Sequence, residues 1–139
     1  MAKQTYLYLT KSIKTPVARI QPADTTNYVT IFSAGTDDSY IESLIATSDD
    51  SSARIVVVSI FDGSNNYPIL AVNIPAGSGT DGTNAAVDLL NYQSGAGLPL
   101  NANGKRYIKL ASGYSLKAKV TTTMTTAKTM YITGQGEDF

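Results

Sequence analysis

The chain has 139 residues, a length that suits one domain and leaves no room for a second core. It contains no Cys and no His, which excludes thiolate nucleophiles, zinc–thiolate sites, imidazole metal ligands and a Ser-His-Asp triad. The formal net charge is zero and only 16% of the residues are charged. We therefore expect a protein that is not an enzyme and that has no catalytic residues, no metal site and no cofactor.

The charges are unevenly distributed along the sequence. Residues 1–23 contain four cations and no acid, residues 24–88 contain nine acids and one arginine, and residues 89–136 contain six cations and no acid. This separation predicts either neutralisation within the fold or a surface with a positive and a negative side. The second arrangement would suit head-to-tail contacts between copies in an assembly.

The first part of the chain is interrupted by proline. Thr5–Thr10 alternates in the manner of a strand, and Val17–Ile20 is a short run between Pro16 and Pro22. Because proline removes a donor from a strand ladder, we predict that residues 1–23 form an extended arm or edge segment, which could lie across a neighbouring subunit. The N-terminus shows no apolar signal region and no stretch approaches a membrane span, so we expect a soluble protein made in the cytoplasm.

Residues 24–139 are predicted to form the core of a single all-β domain. The composition is rich in strand-forming residues, and Gly, Asn, Asp and Ser cluster between the strand-like segments. The predicted strands are Tyr28–Ser33, Ser39–Thr47, Arg54–Phe61, Tyr67–Ile74, Arg106–Leu110, Tyr114–Thr121 and Lys128–Thr133. Arg54–Phe61 is the most apolar and is predicted to be a central strand buried on both faces. About eight strands with this spacing favour a jelly roll, with an immunoglobulin-like sandwich as the alternative.

Residues 77–82, GSGTDG, match the G-x-G-x-x-G pattern of dinucleotide-binding turns. That function also needs a full crossover helix and an acid about 20 residues further along. The segment Asn84–Asn91 is predicted to be a helix of barely two turns, and no acid lies between Asp88 and Glu137. We therefore expect a flexible loop between two strands, followed by one short helix, and not a nucleotide site.

Two acidic pairs, Asp37-Asp38 and Asp49-Asp50, could form a calcium site. Neither pair has the alternating spacing of a dedicated calcium-binding loop. Solvent-exposed turn tips are therefore the favoured interpretation.

The C-terminal third mixes cations with aromatic residues, as proteins that bind single-stranded nucleic acids do. The residues concerned are Lys105, Arg106, Tyr107, Lys109, Tyr114, Lys117 and Lys119. On a strand, Lys117 and Lys119 would share one face while Leu116, Ala118 and Val120 share the other. This is the pattern of a half-buried strand with lysines on its outer face. Since zero net charge also argues against affinity based on phosphate neutralisation, no specific nucleic-acid partner is expected.

Two blocks of sequence resemble a known group of proteins. They are SARIVVVSIFDGSNNYPILAVNIPAGSG at Ser52–Gly79 and LPLNANGKRYIKLASGYSLKAKVTTTMTTAKTMYITGQGEDF at Leu98–Phe139. With the VDLLN turn between them, their order resembles that of small accessory virion proteins of tailed bacteriophages. The similarity is greatest to capsid cement (decoration) proteins with jelly-roll or β-sandwich folds.

The resemblance implies a virion protein that binds the outer surface of the assembled head. It would bridge major capsid subunits as a dimer or trimer, resist the pressure of packaged DNA and have no membrane partner. In this setting the loop at residues 77–82 is a predicted contact with the particle. The alternatives are a tail, connector or fibre-base module and, third, a carbohydrate-binding adhesion module, for which nine tyrosines could supply an aromatic platform.

Overall fold

A computed structural model describes residues 12–92 and 97–138, in which ten β-strands are joined by turns and one short 3-10 turn, Pro22–Asp24. The strands are β1 (Ser12–Lys14), β2 (Val17–Ile20), β3 (Val29–Ser33), β4 (Ser39–Ser48), β5 (Arg54–Phe61), β6 (Asn66–Ile74), β7 (Val87–Asp88), β8 (Ile108–Leu110), β9 (Ser115–Val120) and β10 (Met130–Asp138). The predicted strand Thr5–Thr10 lies outside the described residues. Within the described ranges, no helix has the length and apolar character needed to cross a membrane.

The strands form two antiparallel sheets, which confirms the all-β sandwich prediction. In sheet A, β10 is central: it pairs with β4 on one side and with β1 and β2 on the other, while β7 and β8 pair with the far edge of β4. Sheet B has the order β3-β9-β5-β6. The segment predicted as an arm thus supplies, through β1 and β2, one edge of sheet A.

Four of the ten strands are short pieces of two longer, interrupted strands. β1 and β2 share one continuous register along β10, broken only around Pro16, whose carbonyl accepts a 2.8 Å hydrogen bond from the Gly134 N–H. β7 and β8 likewise pair with successive parts of β4. Counted this way the sandwich has eight strands, with β1/β2-β10-β4-β7/β8 opposite β3-β9-β5-β6, which is the strand order of a jelly roll.

The core between the sheets is built by side chains that point alternately inward and outward along the strands. In β9, Leu116, Ala118 and Val120 are fully buried while Lys117 and Lys119 point outward, as predicted. The largest fully buried side chains from other segments are Ile20, Ile41, Leu44, Val56, Ile74, Leu89, Leu90, Ile108, Leu110, Met130 and Ile132.

β5 coincides with the predicted Arg54–Phe61 and is central in sheet B, but the prediction that both of its faces are buried is wrong. Val56 and Val58 are fully buried, whereas Ile55 is 44% exposed. The continuous apolar run arises because the outer side of this antiparallel sheet also carries β-branched residues.

The short helix predicted at Asn84–Asn91 is not present. Val87 and Asp88 form β7 instead, and the Leu89 N–H donates to the Leu44 carbonyl at 2.9 Å. Leu89 and its neighbour Leu90 are both fully buried. Pairing with β4 satisfies this backbone and inserts both leucines into the core, so tertiary packing overrides the weak helical pattern.

A β-bulge lies in the middle of sheet A. Gln135 pairs with Ser43 but the next residue, Gly136, pairs with Ile41, so Glu42 is left as the extra residue of β4. A Cβ at Gly136 would collide with the carbonyl oxygen of Tyr40. The close approach of the two backbones therefore requires glycine on β10.

Candidate interaction surfaces

The glycine loop, residues 75–86, is packed against the ends of β4 and β5 and is not the flexible loop that was expected. The Gly77 N–H donates to the Asp50 carbonyl at 3.1 Å, and the Ser78 carbonyl accepts from the Ser48 N–H at 2.9 Å. Ser78 is fully buried. The loop therefore belongs to the folded body of the domain, since its backbone groups are satisfied by neighbouring segments.

Two glycines of this loop are required by its backbone conformation and its close packing. Gly77 and Gly79 have φ values of 69° and 73°, in the left-handed region. A Cβ on Gly79 would lie 2.6 Å from the Cγ2 of Thr47, and one on Gly77 would collide with Asp81. The loop leads to β7 and not to a helix, so no helix N-terminus faces a phosphate here. Residues 76–78 are buried or half-buried, whereas residues 79–86, including the tip Gly82–Ala85, are exposed.

The two acidic pairs lie at opposite ends of β4, so the fold does not bring them together. Each forms hydrogen bonds within the protein: Asp38 accepts from the Ser112 N–H at 3.0 Å and Asp49 from the Thr129 N–H at 2.8 Å. Across residues 12–92 and 97–138, no group of three or more acidic side chains is arranged to hold a metal ion.

Asp50 is a buried charge and not a turn tip. Its carboxylate accepts from the Ser52 N–H at 2.9 Å, from the Thr125 N–H at 2.9 Å and from the Thr125 hydroxyl at 2.8 Å, and the Arg54 guanidinium lies at 3.3 Å. Burial is the largest single influence on the pKa of Asp50 and raises it, but the hydrogen bonds and Arg54 together outweigh burial and leave the pKa lowered. The residue ties the β4–β5 turn to the loop before β10.

The basic and aromatic residues of the C-terminal third do not form one patch. Lys109 is on β8 in sheet A, whereas Lys117 and Lys119 are on β9 in sheet B. The sandwich separates them onto opposite outer surfaces. This distribution does not supply the continuous basic groove that a nucleic-acid strand requires.

The outward side of sheet A, which we call face A, carries a cluster of exposed apolar side chains. They are Ile13, Val17, Ile45 and Tyr131, with exposed fractions of 83, 58, 39 and 42%. The register places Val17 and Ile45 on either side of Thr133, in the row next to Tyr131. A groove of about 570 Å³ runs over β10, with Ile13 and Ile45 among its lining residues. Exposed apolar side chains grouped on one outer face are a feature of surfaces that associate with other molecules.

Face A also carries a pair of carboxylates. Glu42, at the bulge, and Glu137, on β10, line the same groove and continue into a smaller cavity of about 260 Å³ beside Tyr40 and Tyr107. The pKa of Glu42 is raised, first by burial and then by the charge and hydrogen bonding of Glu137. These two residues are far apart in sequence, and the strand predicted at Lys128–Thr133 ended too early to include Glu137.

The outward side of sheet B, which we call face B, combines lysines with aromatic rings. The ammonium of Lys117 lies 3.8 Å from the ring centre of Phe61, and that of Lys119 lies 4.9 Å from the ring centre of Tyr28. The hydroxyls of Tyr28 and Ser59 are 2.8 Å apart, so this tyrosine lies across the sheet. A shallow groove of about 480 Å³ follows the adjoining part of β5 and β6.

The two sheets differ in charge. The strands of sheet B contain three cations, Arg54, Lys117 and Lys119, and no acid, whereas those of sheet A contain the acids Glu42, Asp88, Glu137 and Asp138 and the cations Lys14, Arg19 and Lys109. Of these, Glu42, Asp88 and Glu137 lie on face A, as do Arg19 and Lys109 on its edge strands. Sheet B is therefore positive and sheet A nearly balanced, a division that does not follow the blocks of charge along the sequence.

Tyrosines do not converge on one platform in the described parts of the chain. The rings of Tyr40 and Tyr107 pack on each other with centroids 5.3 Å apart and planes tilted by 32°. Tyr28 lies on face B, Tyr131 lies on face A, and Tyr67 donates to Asp62 at the β5–β6 turn.

No protein-family model matches the chain, and no curated protein matches it. Several solved structures are similar to this chain in the path of the backbone. One is the core of Drosophila NLP, a structure that provides insight into the pentamer formation and histone binding of that protein. It is 14% identical over 88% of this chain and 96% of its own, with a TM-score of 0.45. A pentameric capsid protein from metagenomic phage sequences is 17% identical over 99% of this chain and 70% of its own, with a TM-score of 0.41.

A third similar structure is the CBM22-1–GH10 part of xylanase 10B from Clostridium thermocellum, complexed with xylohexaose. It is 10% identical over 90% of this chain and only 24% of its own, with a TM-score of 0.43. At such identities and TM-scores the likeness extends to a β-rich fold and no further.

Proposed function

We propose that the protein is a structural virion protein of a tailed bacteriophage that binds the assembled head. It bridges neighbouring major capsid subunits and stabilises the capsid against internal pressure, and it has no enzymatic activity. The observation that carries the proposal is face A, where Ile13, Val17, Ile45 and Tyr131 expose apolar surface on adjacent strands. A domain that leaves such surface open is suited to be a subunit of a larger assembly, and its contact with the head itself is assigned below to a different surface. The virion role itself is supported by the sequence resemblance and by the jelly-roll strand order.

The proposal is tested by adding purified protein to heads prepared from a phage strain in which the gene has been deleted. We expect saturable binding at a fixed number of copies per head and a higher temperature of head rupture. Binding to tails alone would favour a tail, connector or fibre-base module. Failure to bind any part of the particle would overturn the proposal, and hits on a glycan array would then favour the adhesion module.

The tip of the glycine loop is the surface that we assign to the head contact. Removing residues 77–82 would damage the packing around Ser78, so substitutions at the accessible Thr83 and Ala85 are the cleaner test. Thr83→Lys combined with Ala85→Lys should weaken head binding at least tenfold and leave the unfolding midpoint unchanged. The matched control is Ala102→Lys combined with Asn103→Lys, which adds the same two charges in an exposed turn elsewhere. Equal binding by both variants would remove the tip from the contact.

A further inference from the structure

Face A and face B have complementary chemistry. Face A presents apolar side chains and the Glu42–Glu137 carboxylate pair, with the cations Arg19 and Lys109 on its edge strands, whereas face B presents Lys117 and Lys119 beside a shallow apolar groove. We infer that face A of one copy docks on face B of the next, so that the protein associates head to tail. This inference rests on the proposed function only in taking the protein to be an assembling subunit.

Charge decides which occupant fits face A. A second face A whose groove lay over the first would bring Glu42 and Glu137 against the same two carboxylates, because the cations of face A, Arg19 and Lys109, lie on edge strands outside that groove. Like charges across an interface are costly. Face B has no acid in its strands and holds two ammonium groups against the rings of Phe61 and Tyr28. Because those rings hold the lysines in fixed positions, little side-chain entropy is lost when they meet carboxylates.

The sizes of the two surfaces also agree. Four strands spaced about 4.8 Å apart, with a length of nine residues in β10, give each face a footprint about 15–19 Å by about 30 Å. With side chains included, that is of the same order as the roughly 800 Å² that each partner contributes to a standard interface. Two sheets can approach to about 10 Å when their outer side chains interdigitate.

The contact is heterologous, because the two surfaces that meet are different. Such contacts close into a ring when the rotation between copies permits it and otherwise extend into a filament. A heterologous contact also makes a specific prediction for mixtures. A copy with a damaged face A still offers an intact face B, so it can bind one partner whose face A is intact.

The test uses isolated protein without phage particles, so its result does not depend on head binding. The face-A variant is Glu42→Lys with Glu137→Lys, and the face-B variant is Lys117→Glu with Lys119→Glu. The control, Lys105→Glu with Lys128→Glu, makes the same charge change as the face-B variant in turns outside both faces. Self-association is measured by sedimentation velocity over a range of protein and salt concentrations, and far-ultraviolet circular dichroism checks that each variant is folded.

We expect wild type and control to associate, less strongly at high salt, and each face variant alone to associate about a hundredfold more weakly. An equimolar mixture of the two face variants should associate beyond the dimer, because the intact faces pair with each other and the two reversed faces are complementary as well. A chain with both reversals should regain association, because the charges are complementary again. Should the face-B variant lose its fold, Lys117→Gln with Lys119→Gln takes its place. Monomeric wild type at every concentration, or face variants that associate as wild type does, would overturn the inference.

Discussion

Replacing Asp50 by Asn should destabilise the domain more than its position in a turn suggests. The substituted amide keeps one oxygen, which can still accept from Ser52 and from the Thr125 hydroxyl. The other oxygen, which accepts from the Thr125 N–H at 2.9 Å and lies 3.3 Å from Arg54, becomes an NH₂ group that faces two donors. Two contacts to a charged group are lost, each worth about 1.5–3 kcal/mol, so we expect a loss of about 3–5 kcal/mol.

The size of this loss should depend on pH. The pKa of Asp50 in the folded protein lies below its ordinary value of 3.8, so the carboxylate stabilises the fold at pH values above 3.8. That contribution disappears as the pH falls through the lower, folded-state pKa. The difference between wild type and Asp50→Asn is therefore largest near neutral pH and shrinks in acid.

Urea unfolding followed by tyrosine fluorescence or circular dichroism at pH 7 and in acid measures both effects. The matched control is Asp49→Asn, because the neighbouring Asp49 is exposed and accepts one backbone hydrogen bond, from Thr129 at 2.8 Å. We expect the control to cost about 1 kcal/mol or less. If the two variants were equally stable at pH 7, our account of Asp50 as a buried anchor would be refuted.

Two further substitutions test features of sheet A. Gly136→Ala should lower the free energy of unfolding by about 1–3 kcal/mol, because the new Cβ would strike the Tyr40 carbonyl oxygen. The control is Gly35→Ala, which should be nearly neutral because nothing lies within 4 Å of its Cβ position. Thermal unfolding measures both effects. Glu42→Gln should stabilise the dilute, monomeric protein at neutral pH, because partial desolvation and Glu137 raise the pKa of Glu42 above its ordinary value of 4.5. Wild-type stability then falls as the pH rises above 4.5, and the variant lacks this decline; parallel pH profiles for the two proteins would contradict the carboxylate pair.

Strands with clear alternation or long β-branched runs could be predicted from sequence. β5 matches its predicted bounds, and β9 lies one residue inside each end of its predicted segment. β10 was predicted to end at Thr133 because the following Gly134 and Gly136 resemble a turn signal. They are needed where β4 bulges against β10, a requirement that depends on a partner about 90 residues away in sequence and leaves no local signal.

Only part of the candidate surfaces could be predicted from the sequence. The unequal distribution of charge was compatible with neutralisation within the fold as well as with two dissimilar sides, whereas the outward lysines of β9 follow from its alternation. Asp50 could not be distinguished from Asp49 by composition, because its burial depends on the distant Thr125. The Glu42–Glu137 pair required knowledge that β4 and β10 are neighbours, which only the topology supplies.

The central claim is most directly tested by a cryo-electron microscopy map of the phage particle. We expect density for this jelly roll at repeated positions on the outer surface of the head, bridging adjacent major capsid subunits and absent from heads of the deletion strain. Density at the tail, at one vertex or nowhere on the particle would contradict it.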